Sequence, residues 1–205
     1  MADTSFIPLS SLHDRASDWF GRAHAALLGA VPCRRGCSRC CMGPFAITVL
    51  DAGMLRRGLD GLTPETRDDI ESRAKGQVAA IERAFPRLAC SPFLDDWRDD
   101  DQDALATAFA EFPCPALDVH GDCRVYDARP VTCRTMGIPI EAGATVEGAC
   151  EIQTAVPVVR LPAVFRDQEE GLAEQEAQEL QRVKGNGEEI LIAYGFLPER
   201  AWTDF

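Results

Sequence analysis

The chain has 205 residues, 46% hydrophobic and 26% charged, an ordinary globular composition that excludes wholesale disorder and a fibrous repeat. A chain of this length buries about 70% of its unfolded surface, enough for one domain with a real core and short for two. Its 21 Lys and Arg stand against 33 Asp and Glu, and the net charge of −12 disfavours both phosphate neutralisation on nucleic acid and approach to an anionic membrane.

Ser10 or Ser11 is placed to cap a first helix running to about Leu28. Leu12, Ala16, Trp19, Phe20, Ala23, Ala26 and Leu27 would share one broad face of it. Gly29 and Pro32 break the pattern, and a cysteine cluster follows at once. Phe45 to Val49 reads as a short extended or helix-opening segment, and Leu50 to Leu59 as a short helix. Thr63-Pro64 supplies an N-cap and a proline at the first helical position for a helix to Ala84. Ile70, Ala74, Val78 and Ile81 form its apolar stripe. The acidic stretch Asp95 to Asp103 reads as a solvated loop and helix start whose carboxylates favour the helix dipole. It leads into a helix at about Ala104 to Phe112.

Cys114 to Cys150 is poor in long elements. It offers turns at Pro113-Cys114-Pro115 and His120-Gly121-Asp122, a short strand at Arg124-Val125-Tyr126, and a helical turn opened by Pro130 that carries Cys133 and Arg134. Phe165 to Val183 reads as a charged helix stopped by Gly185-Asn186-Gly187, and Glu188 to Tyr194 as a last short apolar helix. The expected fold is mainly α with short β segments: a single small domain over 1–205 of helices around irregular cysteine-rich metal-binding loops. The metal-binding core would span about 33–152, with helical extensions at 9–30 and 163–197.

No basic stretch followed by an apolar run opens the chain, and the early apolar segment Ala25 to Val31 is too short to span a bilayer. The reading is a cytoplasmic protein with no membrane and no nucleic-acid partner. In a reducing cytosol nine cysteines serve as metal ligands or redox thiols rather than structural disulfides, and an odd number cannot all pair.

The first cluster runs Cys33-Arg34-Arg35-Gly36-Cys37-Ser38-Arg39-Cys40-Cys41. The Cys37-x-x-Cys40 spacing lets two sulfurs converge while turn N–H groups point at them, which suits a tetrahedral ion or a cluster. Gly36 permits the left-handed geometry of such a turn. The adjacent side chains of Cys40 and Cys41 diverge, so they suit two nearby sites or a polynuclear centre better than one ion. The second cluster is Cys114, Cys123, Cys133 and Cys150. Arg34, Arg35, Arg39, Arg124, Arg129 and Arg134 lie within a few residues of these thiols, where their charge offsets thiolate charge. The candidate metal ligands are therefore Cys33, Cys37, Cys40, Cys41, Cys114, Cys123, Cys133 and Cys150. Cys90 falls outside both clusters and reads as a small buried hydrophobe.

At these residues the chain resembles the YkgJ-like cysteine-cluster proteins, a family described as a zinc- or iron-chelating domain. The resemblance is carried by Gly36-Cys37-Ser38-x-Cys40-Cys41, then Cys114-Pro115-x-Leu117, Gly121-x-Cys123-x-x-Tyr126, Arg129-Pro130-x-x-Cys133-Arg134 and the late Cys150. It covers roughly residues 33–152 with the motifs in the expected order. It implies zinc or iron binding, with iron–sulfur or oxidoreductase roles, and kinship with flagellin lysine methylases through the cysteine motifs. Family members often carry Glu shortly after the first cluster, a place Asp51 takes here.

His120, three residues before Cys123, reads as either an imidazole ligand or a plain exposed turn, and His13 and His24 as solvent-facing or packed helix residues. Tyr126 reads as packing beside the cluster. No Ser/His/Asp arrangement, phosphate loop or dinucleotide fingerprint is visible in the sequence. Three functions compete. The leading one is a metalloprotein holding an iron–sulfur cluster or iron in a redox or protein-modification role. The second is a structural zinc protein serving as an interaction module. The third is a modifying, methyl-transferring enzyme supported by the cluster. The reaction class stays open between an iron–sulfur oxidoreductase and an accessory protein of a modification system, with a protein partner or protein substrate and an open oligomeric state.

Overall fold

Helix α1, Leu9–Ala26, repeats apolar residues at Leu12, Ala16, Trp19, Ala23 and Leu27, the spacing that keeps one face of a helix together. The computed structural model describes residues 9–27, 36–138, 140–142, 145–147, 162–183 and 187–198. Its contacts gather into two compact units, Met1–Cys33 with Val131–Val183, and Arg34–Pro130 with Lys184–Phe205. The chain is mainly α with short β segments.

In the first unit α1 lies against a short helix α6, Val131–Thr135, and a long helix α7, Ala163–Leu180. Val131, Ile138 and Leu172 complete the buried cluster that the α1 stripe begins, with Phe20 and Phe165 packed against it. Trp19 is 1% exposed, and its indole N–H donates to Phe165 O at 2.7 Å, so the largest side chain of this core is buried without stranding its donor. Arg15 donates to Gln175, which in turn donates to Glu179 at 3.0 Å. Strands β2, Ile140–Ala142, and β3, Thr145–Glu147, pair antiparallel with Glu141 opposite Val146. That hairpin lies in a region where the sequence pattern predicted no strand pair. The first helix also begins at Leu9, so Ser10 and Ser11 sit inside it rather than at its cap, and it ends at Ala26 instead of about Leu28.

The second unit is built on α2, Val49–Asp60, and α3, Pro64–Ala84. Thr48 caps α2 by accepting from the Asp51 N–H at 3.3 Å, and Thr63 caps α3 by accepting from Thr66 at 3.4 Å, ahead of Pro64. Leu50, Ala52, Leu55 and Leu59 on α2, and Ile70, Ala74, Val78 and Ile81 on α3, are buried. The predicted α3 stripe is therefore the core stripe. Strand β1, Ala46–Thr48, pairs antiparallel with β4, Glu189–Leu191, with Ile47 opposite Ile190. The chain then turns into the one-turn helix α8, Ile192–Gly195. The expected apolar helix over Glu188 to Tyr194 is thus a strand followed by a turn, because Ile190 and Leu191 find their backbone partners on β1, far away in sequence. Gly195 sits in a tight place: a Cβ there would stand 2.8 Å from Ile47 Cδ1 and 3.1 Å from Leu55 Cδ1, so both side-chain ends would have to shift. Tyr194 OH donates to Glu82 at 2.8 Å, and Arg56 bonds both Glu71 at 2.9 Å and Phe196 O at 3.0 Å, tying α8 to α2 and α3.

A four-residue helix α4, Arg87–Cys90, precedes α5, Asp99–Ala108. Helix α5 starts about five residues before the predicted Ala104, because Asp99, Asp100 and Asp101 occupy its first turn, where carboxylates complement the helix dipole. The expected strand at Arg124-Val125-Tyr126 is also replaced. Only Cys123 bridges to Leu117, and the chain closes into a 3₁₀ turn at Tyr126–Ala128 with Ala128 N–H donating to Val125 O at 2.9 Å. Among the described residues no helix is long and apolar enough to cross a membrane.

Candidate metal centre

Loops of the second unit converge around Gly36–Gly43. Cys114 N–H donates to Cys41 O at 2.7 Å, and Gly43 N–H to Phe112 O at 2.7 Å, so the segment before Cys114 runs antiparallel to Cys41–Gly43. Met42 and Pro113 form the bridge between them. The loop 118–123 closes the other side. Gly36 and Gly121 both hold φ near +85°, the left-handed region that only glycine enters freely. They face each other closely: a Cβ on Gly121 would stand 3.4 Å from Ser38 Oγ and 3.7 Å from Gly36 O. A side chain at either place would strain the backbone through its positive φ, while its Cβ would meet only ordinary van der Waals contacts.

The result brings the loops of Cys37, Cys40, Cys41, Cys114 and Cys123 together in one unit, none of the five in a disulfide. Cys40 and Cys41 sit on a 3₁₀ turn, Arg39–Cys41, and Cys41 bonds the Cys40 thiol. That bond, with help from the Cys40 N–H and the Arg129 guanidinium, lowers the Cys40 pKa to about 7 against the opposing effect of burial. Burial pushes the Cys114 thiol up to about 12, and the neighbouring Cys123 and Cys40 add to the rise. The Ala116 N–H bonded to Cys114, and the Arg73 charge, offset part of it.

Cys133 sits half-buried on α6 of the first unit, and Arg134 beside it is buried. Cys33 and Cys150 lie outside the described residues. Cys90 is exposed at the end of α4 rather than buried as expected, because that four-residue helix turns only Leu88 inward. Among the described residues, no three His, Cys, Asp or Glu side chains stand together as a ready-made metal site. The donor chemistry nonetheless suits a thiophilic centre: cysteines on loops with glycine turns, N–H groups directed at Cys40 and Cys114, and guanidinium groups beside them.

His120 occupies an exposed turn. Asp118 organises that turn by accepting from the N–H groups of Asp122 and His120 at 2.8 Å each, and these bonds hold its carboxyl below the usual range. His13 is buried on α1 and His24 stacks on Phe20 at 5.7 Å, so both are packed in the first unit. Tyr126 lies under the Arg129 guanidinium, 3.6 Å from its ring centroid, in the loop that follows Cys123. Asp51 is 1% exposed in the first turn of α2, where its backbone closes the Thr48 cap.

Sequence reasoning missed the α3 side chains that hold the Cys114 loop. Arg73 donates to Leu117 O at 2.6 Å and Gln77 to Pro113 O at 2.7 Å. Their spacing of four residues places them on one face of α3, yet nothing in the sequence joins that face to a loop nearly forty residues onward. The open cavity of about 520 Å³ between α1 and α7 carries no cysteine, and its Arg22 is paired with Asp18 at 2.8 Å, so it stands apart from this chemistry. No family model matches the chain, and no curated protein or solved structure matches it either.

Proposed function

We propose that the chain is a cytoplasmic metal-binding protein whose clustered cysteines hold an iron–sulfur cluster or iron. One observation carries this reading: loops bearing cysteines from distant parts of the sequence meet in one cluster, with Cys114 N–H donating to Cys41 O and Gly121 lying beside Ser38 and Gly36. Packing alone gives no reason for so many small polarizable side chains at loop crossings, whereas a thiophilic centre does. The order of the motifs, which resembles that of the YkgJ-like proteins, supports the same reading.

Cys33, Cys37, Cys40, Cys41, Cys114, Cys123, Cys133 and Cys150 are the proposed ligands. An iron–sulfur centre would supply one-electron chemistry at a potential tuned by its surroundings. The protein's own part is to present thiolates, to direct N–H groups at Cys40 and Cys114, and to place Arg73 and Arg129 where they offset negative charge. A protein partner or protein substrate fits an acidic chain that lacks a nucleotide fingerprint. Structural zinc is the second reading, favoured by the deep burial of Cys114, since structural sites are closed to solvent. Metal would then be coupled to folding.

The deciding experiment is metal analysis with a visible spectrum on protein purified without oxygen. Iron with acid-labile sulfide and a broad brown absorption is expected. Stoichiometric zinc in a colourless protein would select the second reading, and a protein free of both metals would sink the two together. Cys37→Ala and Cys133→Ala are each expected to lower metal content and solubility; unchanged values in both would defeat the ligand assignment.

A further inference from the structure

The turn Pro113–Leu117 carries Cys114, the one buried thiol among the described cysteines. Side chains outside the turn take up nearly every carbonyl in it. Gln77 donates to Pro113 O at 2.7 Å and Arg73 to Leu117 O at 2.6 Å, both from α3. Arg124 donates to Pro115 O at 3.0 Å and Ala116 O at 3.3 Å, while its third arm pairs with Asp69 on α3 at 2.6 Å. The remaining carbonyl, of Cys114 itself, accepts the Leu117 N–H at 2.9 Å and closes the turn. With its carbonyls held this way, the turn directs an amide rather than an oxygen at the sulfur: Ala116 N–H bonds Cys114.

That polarity matters for any thiolate. A carbonyl oxygen beside a thiolate repels it, whereas an N–H stabilises the anion and lowers its reactivity as a ligand less than a proton would. We propose that Arg73, Gln77 and Arg124 are positioning residues of the thiolate centre, holding the carbonyls of the Cys114 turn outward and thereby setting how tightly the cluster takes a thiophilic metal. The inference rests on the metal-binding reading above and names the residues that tune it. Outer partners of this kind typically change metal affinity 10–100-fold when removed.

Two readouts on reduced, metal-free, full-length protein test it. In the first, Cd²⁺ is titrated in and followed by the cadmium–thiolate charge-transfer band. Arg73→Met and Gln77→Leu are each expected to weaken binding by about tenfold or more, with Arg73→Lys recovering most of the loss. In the second, amide hydrogen exchange is followed at Ala116, with the Leu94 N–H, bonded to Glu189 O at 2.9 Å, as the reference in the same unit. Ala116 is expected to exchange at least tenfold faster in both variants while Leu94 keeps its rate. Equal acceleration at Leu94 would show general loosening and overturn the proposal. Wild-type Cd²⁺ affinity in both variants, or unchanged Ala116 exchange, would overturn it as well. A wild-type protein that takes up no Cd²⁺ sinks the metal reading itself, and Ala116 exchange still decides whether these side chains orient the turn.

Discussion

Gly58 on α2 faces the loop after Cys123 at close range. A Cβ added there would stand 2.4 Å from Ala128 Cβ and 3.7 Å from the Val125 side chain. Carbon atoms settle at about 3.5–4.0 Å, so the 3₁₀ turn Tyr126–Ala128 would have to retreat by about 1 Å or more. Ala128 has no flexible end to swing aside, so the backbone itself must move. Overpacking of this kind costs about 1–3 kcal/mol. Gly58→Ala also gains about 1 kcal/mol of helix propensity inside α2. The clash outweighs that gain, and the net effect is a loss of up to about 2 kcal/mol. Gly76 supplies the control: it lies inside α3, and a Cβ there meets nothing within 4 Å. Gly76→Ala is expected to stabilise by about 0.5–1 kcal/mol. Thermal melting by circular dichroism on the reduced protein should show Tm lower by up to about 8 °C for Gly58→Ala and higher by about 1–4 °C for Gly76→Ala. If both variants melt above wild type, the close contact between α2 and the turn does not exist.

In the first unit, Trp19→Ala removes a side chain that is 1% exposed and is expected to cost about 3–5 kcal/mol in urea denaturation; a cost below about 1 kcal/mol would contradict its burial. Thr63→Ala removes the acceptor for Thr66 N–H at the start of α3 and is expected to cost about 1 kcal/mol, with Thr63→Ser restoring it. The thiols should separate by pH in the reduced, metal-free protein. With Cys40 lowered to about 7 and Cys114 raised to about 12, alkylation at about pH 8 should label Cys40 first and leave Cys114 untouched, which peptide mass mapping reads directly. The signs for stability follow from the same shifts. The lowered Cys40 favours the fold fully above about pH 9, and that contribution is lost as pH falls through about 7. The raised Cys114 costs nothing below about pH 9, and the fold weakens as pH rises from there towards about 12. A Cys114 labelled as fast as Cys40 would refute its burial.

The elements legible in the sequence are those decided by local chemistry. Thr63-Pro64 announces α3, and the spacing of Ile70, Ala74, Val78 and Ile81 identifies its buried face without reference to the rest of the chain. The Leu12-to-Leu27 stripe does the same for α1, and the cysteine spacing with Gly36 marks the loop that the structure bends through a positive φ. Those signals depend on a helix period of 3.6 residues, a cap, or a conformation that only glycine enters freely, all short-range properties. What the tertiary structure alone decides is which distant backbones meet. Glu189 to Leu191 has the apolar character of a short helix and becomes a strand because Ala46 to Thr48 offers it an edge. Cys41 meets Cys114 through a hydrogen bond across more than seventy residues, and Arg73 and Gln77 reach from α3 to the carbonyls beside Cys114. No local period encodes such pairings. They arise when burial of the α2, α3 and α8 faces leaves loop peptide groups that must find partners, and the nearest donors are side chains on the polar flank of α3.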